Sequence, residues 1–215
     1  MLRPQTLSAS RSSTVICTGL LAVVAAFALT ASAAAQQPKH QPPVSRVPGS
    51  GKMPISFCFG DGSSAPCPCD NTGVSGRGCQ NSTLSGGAQL SASGQALLSA
   101  DTLQFHVLGE PATSLSLLLQ GTAVMRPQPF GDGLLCMGGS LTRLYSQNAF
   151  NGAITWPKAG EETISERSAW LGDALVNGST RCYQVYYRDL RAGFCPEPLG
   201  GGFNLSNGVA VVWTR

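Results

Sequence analysis

Charge is scarce in this sequence. Only 12% of its residues are Asp, Glu, Lys or Arg, and the formal balance is +3. A chain so sparsely charged has no electrostatic footprint for nucleic acid or an anionic lipid surface. Histidine is scarcer still, with two in the whole chain, His40 and His106. Gly-x-Ser-x-Gly, Ser-x-x-Lys and His-Glu-x-x-His motifs are all missing, which removes the common signatures of serine and zinc hydrolases. Beyond residue 35 no apolar run is long enough to span a bilayer. No window there repeats its apolar residues with a helical period of 3.6.

One long apolar run does exist, at the start. Arg3 and Arg11 precede an uncharged stretch from Val15 to Ala35, whose centre reads LLAVVAAFAL and whose end reads ASAAAQQ. A basic leader, an apolar heart and small residues at the cleavage positions describe a secretory signal peptide over residues 1–35. Cleavage is expected after Ala33 or Ala35, with an uncleaved anchor as the alternative. Both basic residues of this segment are lost on cleavage and no acid is, so the mature chain is nearly neutral. It is expected in the periplasm, at the cell surface or outside the cell, without stable membrane insertion. Residues 36–54, QQPKHQPPVSRVPGSGKMP, hold five prolines and almost nothing apolar. Such a segment favours an extended, semi-rigid linker.

Residues 55–215 alternate apolar and polar side chains in short bursts separated by Gly, Asn, Pro and Ser. Leu103, Phe105 and Val107 share a face in TLQFHVLG, as do Leu115, Leu117 and Leu119 in SLSLLLQG. TRCYQVYYRD sets Tyr183, Val185 and Tyr187 against Cys182, Gln184 and Tyr186, and GVAVVW aligns Val209, Val211 and Trp213. LLCMGG, LTRLYSQ and GAITW are further strand candidates, and ISERSAW reads either as a strand or as a helical turn. Eight to ten short strands predict an all-β domain, an antiparallel sandwich or a jelly-roll-like fold.

Four cysteines crowd the stretch CFGDGSSAPCPCDNTGVSGRGC, from Cys58 to Cys79. Zinc knuckles and thiol redox centres use Cys-x-x-Cys, whereas the close pair here is Cys-Pro-Cys and no histidine lies nearby. An exported chain meets an oxidising compartment, so Cys58, Cys67, Cys69, Cys79, Cys136 and Cys195 are disulfide candidates. Cys67 and Cys69 are too close to bond each other without strain; the remaining connectivities stay open. Residues 58–82 have hardly an apolar side chain. Cross-links worth roughly 2–4 kcal/mol each would replace the missing core, making this a disulfide-stapled N-terminal loop. Cys182 is the odd one out, expected as a free thiol either beneath a second layer or available for an intermolecular bridge.

FCFGDGSSAPCPCDN with GCQNS, FGDGLLCMGG, TRCYQVYYRD and FNLSNGVAVVW together resemble an uncharacterised secreted module of bacterial exported and surface proteins. The resemblance covers roughly residues 57–213. It implies a Cys-rich β domain with cysteines at the six positions named above and a different residue where Cys182 stands. It implies no catalytic residue.

Three chemistries were weighed on the residues themselves. Asp61 and Asp132, each in a Phe-Gly-Asp-Gly segment, are weak calcium candidates; isolated Asp-Gly pairs form tight turns, and calcium loops gather several carboxylates. Glu161, Glu162, Glu166 and Asp173 would serve an extracellular hydrolase of glycosidase type only if two of them were held at a set separation. Trp156, Trp170 and Tyr186 are candidates for stacking on sugar rings, with core packing as their other use. No cofactor is called for. The reading reached here is a non-catalytic secreted or cell-surface module that binds a polysaccharide or an envelope protein, with the hydrolase as the alternative.

Overall fold

The computed structural model describes residues 52–190, 194–195 and 200–215. The expected signal peptide and all but the end of the expected linker lie outside the described residues. Along the chain run β1 (Ile55–Phe57), β2 (Gln89–Ser93), β3 (Gln104–Leu108), β4 (Leu115–Phe130) and β5 (Gly133–Asn148). They are followed by β6 (Ala153–Trp156), α1 (Ile164–Trp170), β7 (Thr180–Arg188), β8 (Phe203–Leu205) and β9 (Gly208–Val212). Every strand pair is antiparallel. The domain is therefore all-β, as its alternation predicts.

Two strands are far from short. LLCMGG and LTRLYSQ are halves of one 16-residue strand, β5, which pairs with an equally long β4. ISERSAW is a helix, α1. Its start is fixed by a capping box: the Thr163 hydroxyl accepts from the Glu166 amide while the Glu166 carboxylate accepts from the Thr163 amide.

Six strands form the larger sheet, in the order β1-β9-β7-β4-β5 with β8 also on β7; β2-β3-β6 form the smaller one. β8 and β9 take successive stretches of one edge of β7, Tyr186–Arg188 and Thr180–Tyr183. Ser206 fills the break between them. Its hydroxyl accepts from the Val185 amide, and its own amide donates to Val185. Asn207 then leaves the larger sheet and imitates a strand for the smaller one, accepting from the Leu90 amide and donating to the Leu90 carbonyl.

Between the sheets lies the main core. Phe105 and Val107 from β3, Ile154 and Trp156 from β6, and Ile164 from α1 meet Leu118, Tyr183, Val185, Tyr187, Val209 and Val211 of the larger sheet. Tyr183 packs on Phe105 at 4.4 Å between ring centroids, and its hydroxyl accepts from the indole of Trp213 at 3.2 Å. Such rings each bury a large apolar area and still find a partner for their polar atom.

The other face of β7 carries a second layer. β4 and β5 bend through register shifts at Gly121/Ala123 and Val124/Gln128. Gly139 makes the bend workable, because its φ of +73° is left-handed and a Cβ there would meet the Thr122 hydroxyl at 2.1 Å. The hairpin tip returns to β8, where the Asp132 amide donates to the Phe203 carbonyl. Leu134 and Cys136 of the returning strand pack with Cys58, Cys67 and Cys79 of the N-terminal loop. That loop lies flat on the sheet, since a Cβ on Gly78 would stand 2.1 Å from the Leu205 carbonyl.

Three disulfides tie this layer together: Cys58–Cys136, Cys67–Cys79 and Cys69–Cys195. They suit an oxidising compartment. Cys182 is the free cysteine and is buried. The Cys58–Cys136 bond closes a loop of 78 residues, so replacing both by alanine should cost about 3–4 kcal/mol of stability. Urea unfolding measures it; a loss under about 1 kcal/mol would mean that hydrogen bonds and ring contacts alone hold the hairpin down.

Candidate functional site

β4 decides what the outer face looks like. Leu118 points into the core, but its inward neighbours Ser116 and Gln120 are polar. Each donates a hydrogen bond to a buried partner. Ser116 donates to the Glu110 carboxyl at 2.5 Å, and Gln120 donates to Ser168 and Asp173, both at 2.7 Å. The alternate residues Leu115, Leu117 and Leu119 therefore face outward, the reverse of the arrangement in β3. They floor a concavity of about 650 Å³.

Neighbouring strands complete it. Tyr186 of β7 stands opposite Leu117, and Arg143 of β5 stands opposite Leu119. Tyr186 packs on Phe203 at 4.8 Å, and Phe203 on Phe130 of the returning hairpin at 4.9 Å, so three rings form one wall. Leu115 and Leu141 remain 43% and 52% exposed, and Phe130 42%. A patch of leucines and aromatic rings left open in one hollow is uncommon on a soluble domain and marks an interaction site.

The polar groups of this groove are Thr142, the Tyr186 hydroxyl, Arg143 and Arg188. No acidic residue lines it, and neither arginine has an ion-pair partner among the described residues. A shallower hollow of about 350 Å³ shares Leu115 and Arg188 with the first and extends it past Ser114, Asn148 and Leu190. Ser114 shields the buried Glu110, whose carboxyl accepts from the Ser114 and Ser116 hydroxyls. Its second oxygen has no partner. Burial pushes this carboxyl up to about 7 despite the two hydroxyls.

The three stacking candidates do not converge. Trp156 is 1% exposed inside the sandwich, opposite Phe105, so it cannot stack on a ligand. Core packing claims it because β6 caps the smaller sheet with its apolar face inward. Trp170 is 71% exposed at the end of α1 beneath the Arg167 guanidinium, 4.7 Å from its ring. Tyr186 alone belongs to the groove.

Asp61 serves its own loop, accepting from the Ser63 amide and hydroxyl and from the Gly76 amide; these bonds hold it below the usual carboxylate range. Asp132 is buried and accepts from the Gly201 amide. No cluster of three or more potential metal ligands occurs among the described residues. The acids considered for hydrolysis are likewise engaged. Glu161 accepts from the Lys158 amide, Glu166 closes the helix cap, and Glu162 lies 3.8 Å from Arg167. Asp173 pairs with Arg181 through two hydrogen bonds and stays below its ordinary range. His106 bonds the Ser93 and Thr155 hydroxyls. Cys182 is buried, which pushes its thiol up and leaves it unexposed for an intermolecular bridge.

Sequence reasoning passed over Arg143, Arg188, Phe130 and Phe203. One signal was present: Leu117, Leu118 and Leu119 run consecutively, which a strand covered on one side only does not need.

Trp156→Ala should cost about 3–5 kcal/mol of stability, whereas Trp170→Ala should stay within about 0.5 kcal/mol; thermal and urea unfolding compare them. Equal effects would contradict the placement of Trp156. Because folding raises the Glu110 carboxyl above its unfolded value, the fold favours the protonated form. That contribution is complete below pH 4.5 and fades as pH climbs through about 7. Relative to Glu110→Gln, the native chain should therefore lose on the order of 2–3 kcal/mol between pH 4.5 and 8. Parallel stability curves for the two proteins would exclude a buried titrating carboxyl.

Comparison with protein-family models, with curated proteins and with solved structures finds no match to this chain.

Proposed function

We propose that this chain is an exported, non-catalytic binding module of the cell envelope or surface, and that its ligand lies in the outer groove. The carrying observation is the outward row Leu115, Leu117 and Leu119 facing the wall of Phe130, Phe203 and Tyr186. Three disulfides, the basic leader with its apolar run, and the resemblance to a secreted module support the location.

The groove alters the expected ligand. A polysaccharide presents hydroxyls on most faces, and a floor of leucines leaves them without partners. Trp156 is buried in the core, and among the described residues no carboxylate lines the groove. An apolar ligand is the better fit. The alternative of a glycosidase draws no support from acids that are already spent on a helix cap, a backbone amide and an arginine.

N-phenyl-1-naphthylamine, a neutral apolar dye that brightens when shielded from water, tests this reading. The folded mature chain should bind it with saturable fluorescence, and Leu117→Asp should weaken binding at least about tenfold, roughly 1.4 kcal/mol. Binding that survives Leu117→Asp, or no binding at all, would remove the groove as the site. In that case retardation by a polysaccharide, abolished by Trp170→Ala, would restore the carbohydrate reading.

A further inference from the structure

We propose that the groove takes a single-chain fatty carboxylate, its alkyl chain along Leu115, Leu117 and Leu119 and its carboxylate at one end of that row; Arg143 stands beside Leu119 and Arg188 level with Leu115. This rests on the reading of the groove as the binding site and adds the ligand's chemistry.

Three observations point the same way. The floor is a row of side chains from one strand, alternate residues along β4, so the apolar surface is elongated. Its extension past Leu190 lengthens it further. An unbranched chain matches such a trough better than a compact ring system does. The size lies in the range of small-molecule sites, roughly 300–1,000 Å³, which are mostly apolar with a few placed polar groups.

Charge supplies the second argument. Arg143 and Arg188 border the apolar floor from strands on opposite sides of β4. Among the described residues neither has an acidic partner and no acid lines the groove. A guanidinium is always charged and presents paired N–H groups that match a carboxylate. One at each end of the leucine row complements an anionic head on an apolar tail in either orientation, and both repel a cationic amphiphile.

Preorganisation is the third. Phe130 and Leu135 reach the groove from the returning hairpin, which the Cys58–Cys136 disulfide and the Phe130–Phe203 contact hold in place. A wall already fixed loses little freedom when a ligand enters.

Dodecanoate is the probe. The mature chain is loaded with N-phenyl-1-naphthylamine and the dye is displaced by monomeric dodecanoate, by dodecanol and by dodecyltrimethylammonium. Dodecanoate should act at about tenfold lower concentration than the cationic amphiphile, with dodecanol between them. In the Arg143→Gln/Arg188→Gln double variant, checked for folding by near-ultraviolet circular dichroism, that ratio should fall below about threefold. Calorimetric titration of dodecanoate into dye-free protein supplies an independent readout. Dye binding with equal displacement by all three amphiphiles would overturn the carboxylate while leaving the groove as the site. So would displacement only by phosphatidylglycerol vesicles, or only by an apolar peptide. Absence of dye binding, or dye binding that survives Leu117→Asp, would sink the groove reading itself.

Discussion

Gln184 is the joint through which the second layer hangs on the first. It is fully buried on the outer side of β7, where an unpaired amide would cost a few kcal/mol. Its Nε2 donates to the carbonyls of Leu134 and Ser206, and its Oε1 accepts from the Cys136 amide. Leu134 and Cys136 belong to the returning half of β5, and Ser206 stands at the break between β8 and β9. One side chain therefore satisfies backbone groups from two segments that the sheet ladder cannot reach. An apolar residue at 184 would fill the volume and strand three backbone groups.

What hangs on that joint explains the unusual polarity of β4. A sandwich strand normally turns its apolar residues inward. Here Ser116 and Gln120 take inward positions, each with partners reaching from outside the strand: Glu110 for one, Ser168 and Asp173 for the other. Asp173 is in turn held by Arg181. These pairs satisfy the polar atoms only in part, since one oxygen of Glu110 and one of Gln120 stay without partners. A buried polar edge of this kind is costly when incomplete. The outward leucines recover some of the loss because the returning hairpin half-covers them, so the groove and the polar edge are two consequences of one strand's register.

That register was the part of the fold the sequence concealed. Alternation alone located β3, β7 and β9 and sorted their faces: Phe105 and Val107, Tyr183, Val185 and Tyr187, and Val209 and Val211 all lie in the core. Period two says which residues share a face, but not which face is inside. In β4 the leucines shared a face and it was the outer one. ISERSAW stays ambiguous between a strand and a helical turn for a different reason. Seven residues are too few to show a helical period, whereas the Thr163–Glu166 capping box was legible as four letters. The long hairpin escaped because LLCMGG and LTRLYSQ are divided by Gly138 and Gly139, which read as a turn and instead form a bend within one strand. Arg143, Arg188, Phe130 and Phe203 lie far apart in sequence and meet only through that bend.

The disulfides complete the logic of the outer layer. Residues 58–88 supply few apolar side chains and lie against the sheet by backbone contact, so burial alone cannot hold them. Cys67–Cys79 closes the loop on itself, while Cys58–Cys136 and Cys69–Cys195 fasten it to the hairpin and to the segment before β8. The hairpin carries Leu135 and Phe130 into the groove wall, and β8 carries Phe203. Cross-linking restricts chiefly the unfolded chain, so the staples stabilise the wall without occupying the hollow it encloses. No residue of the loop is among those lining the groove, so its packing on Leu134 and Cys136 braces the returning strand that brings Leu135 to the wall without narrowing the hollow.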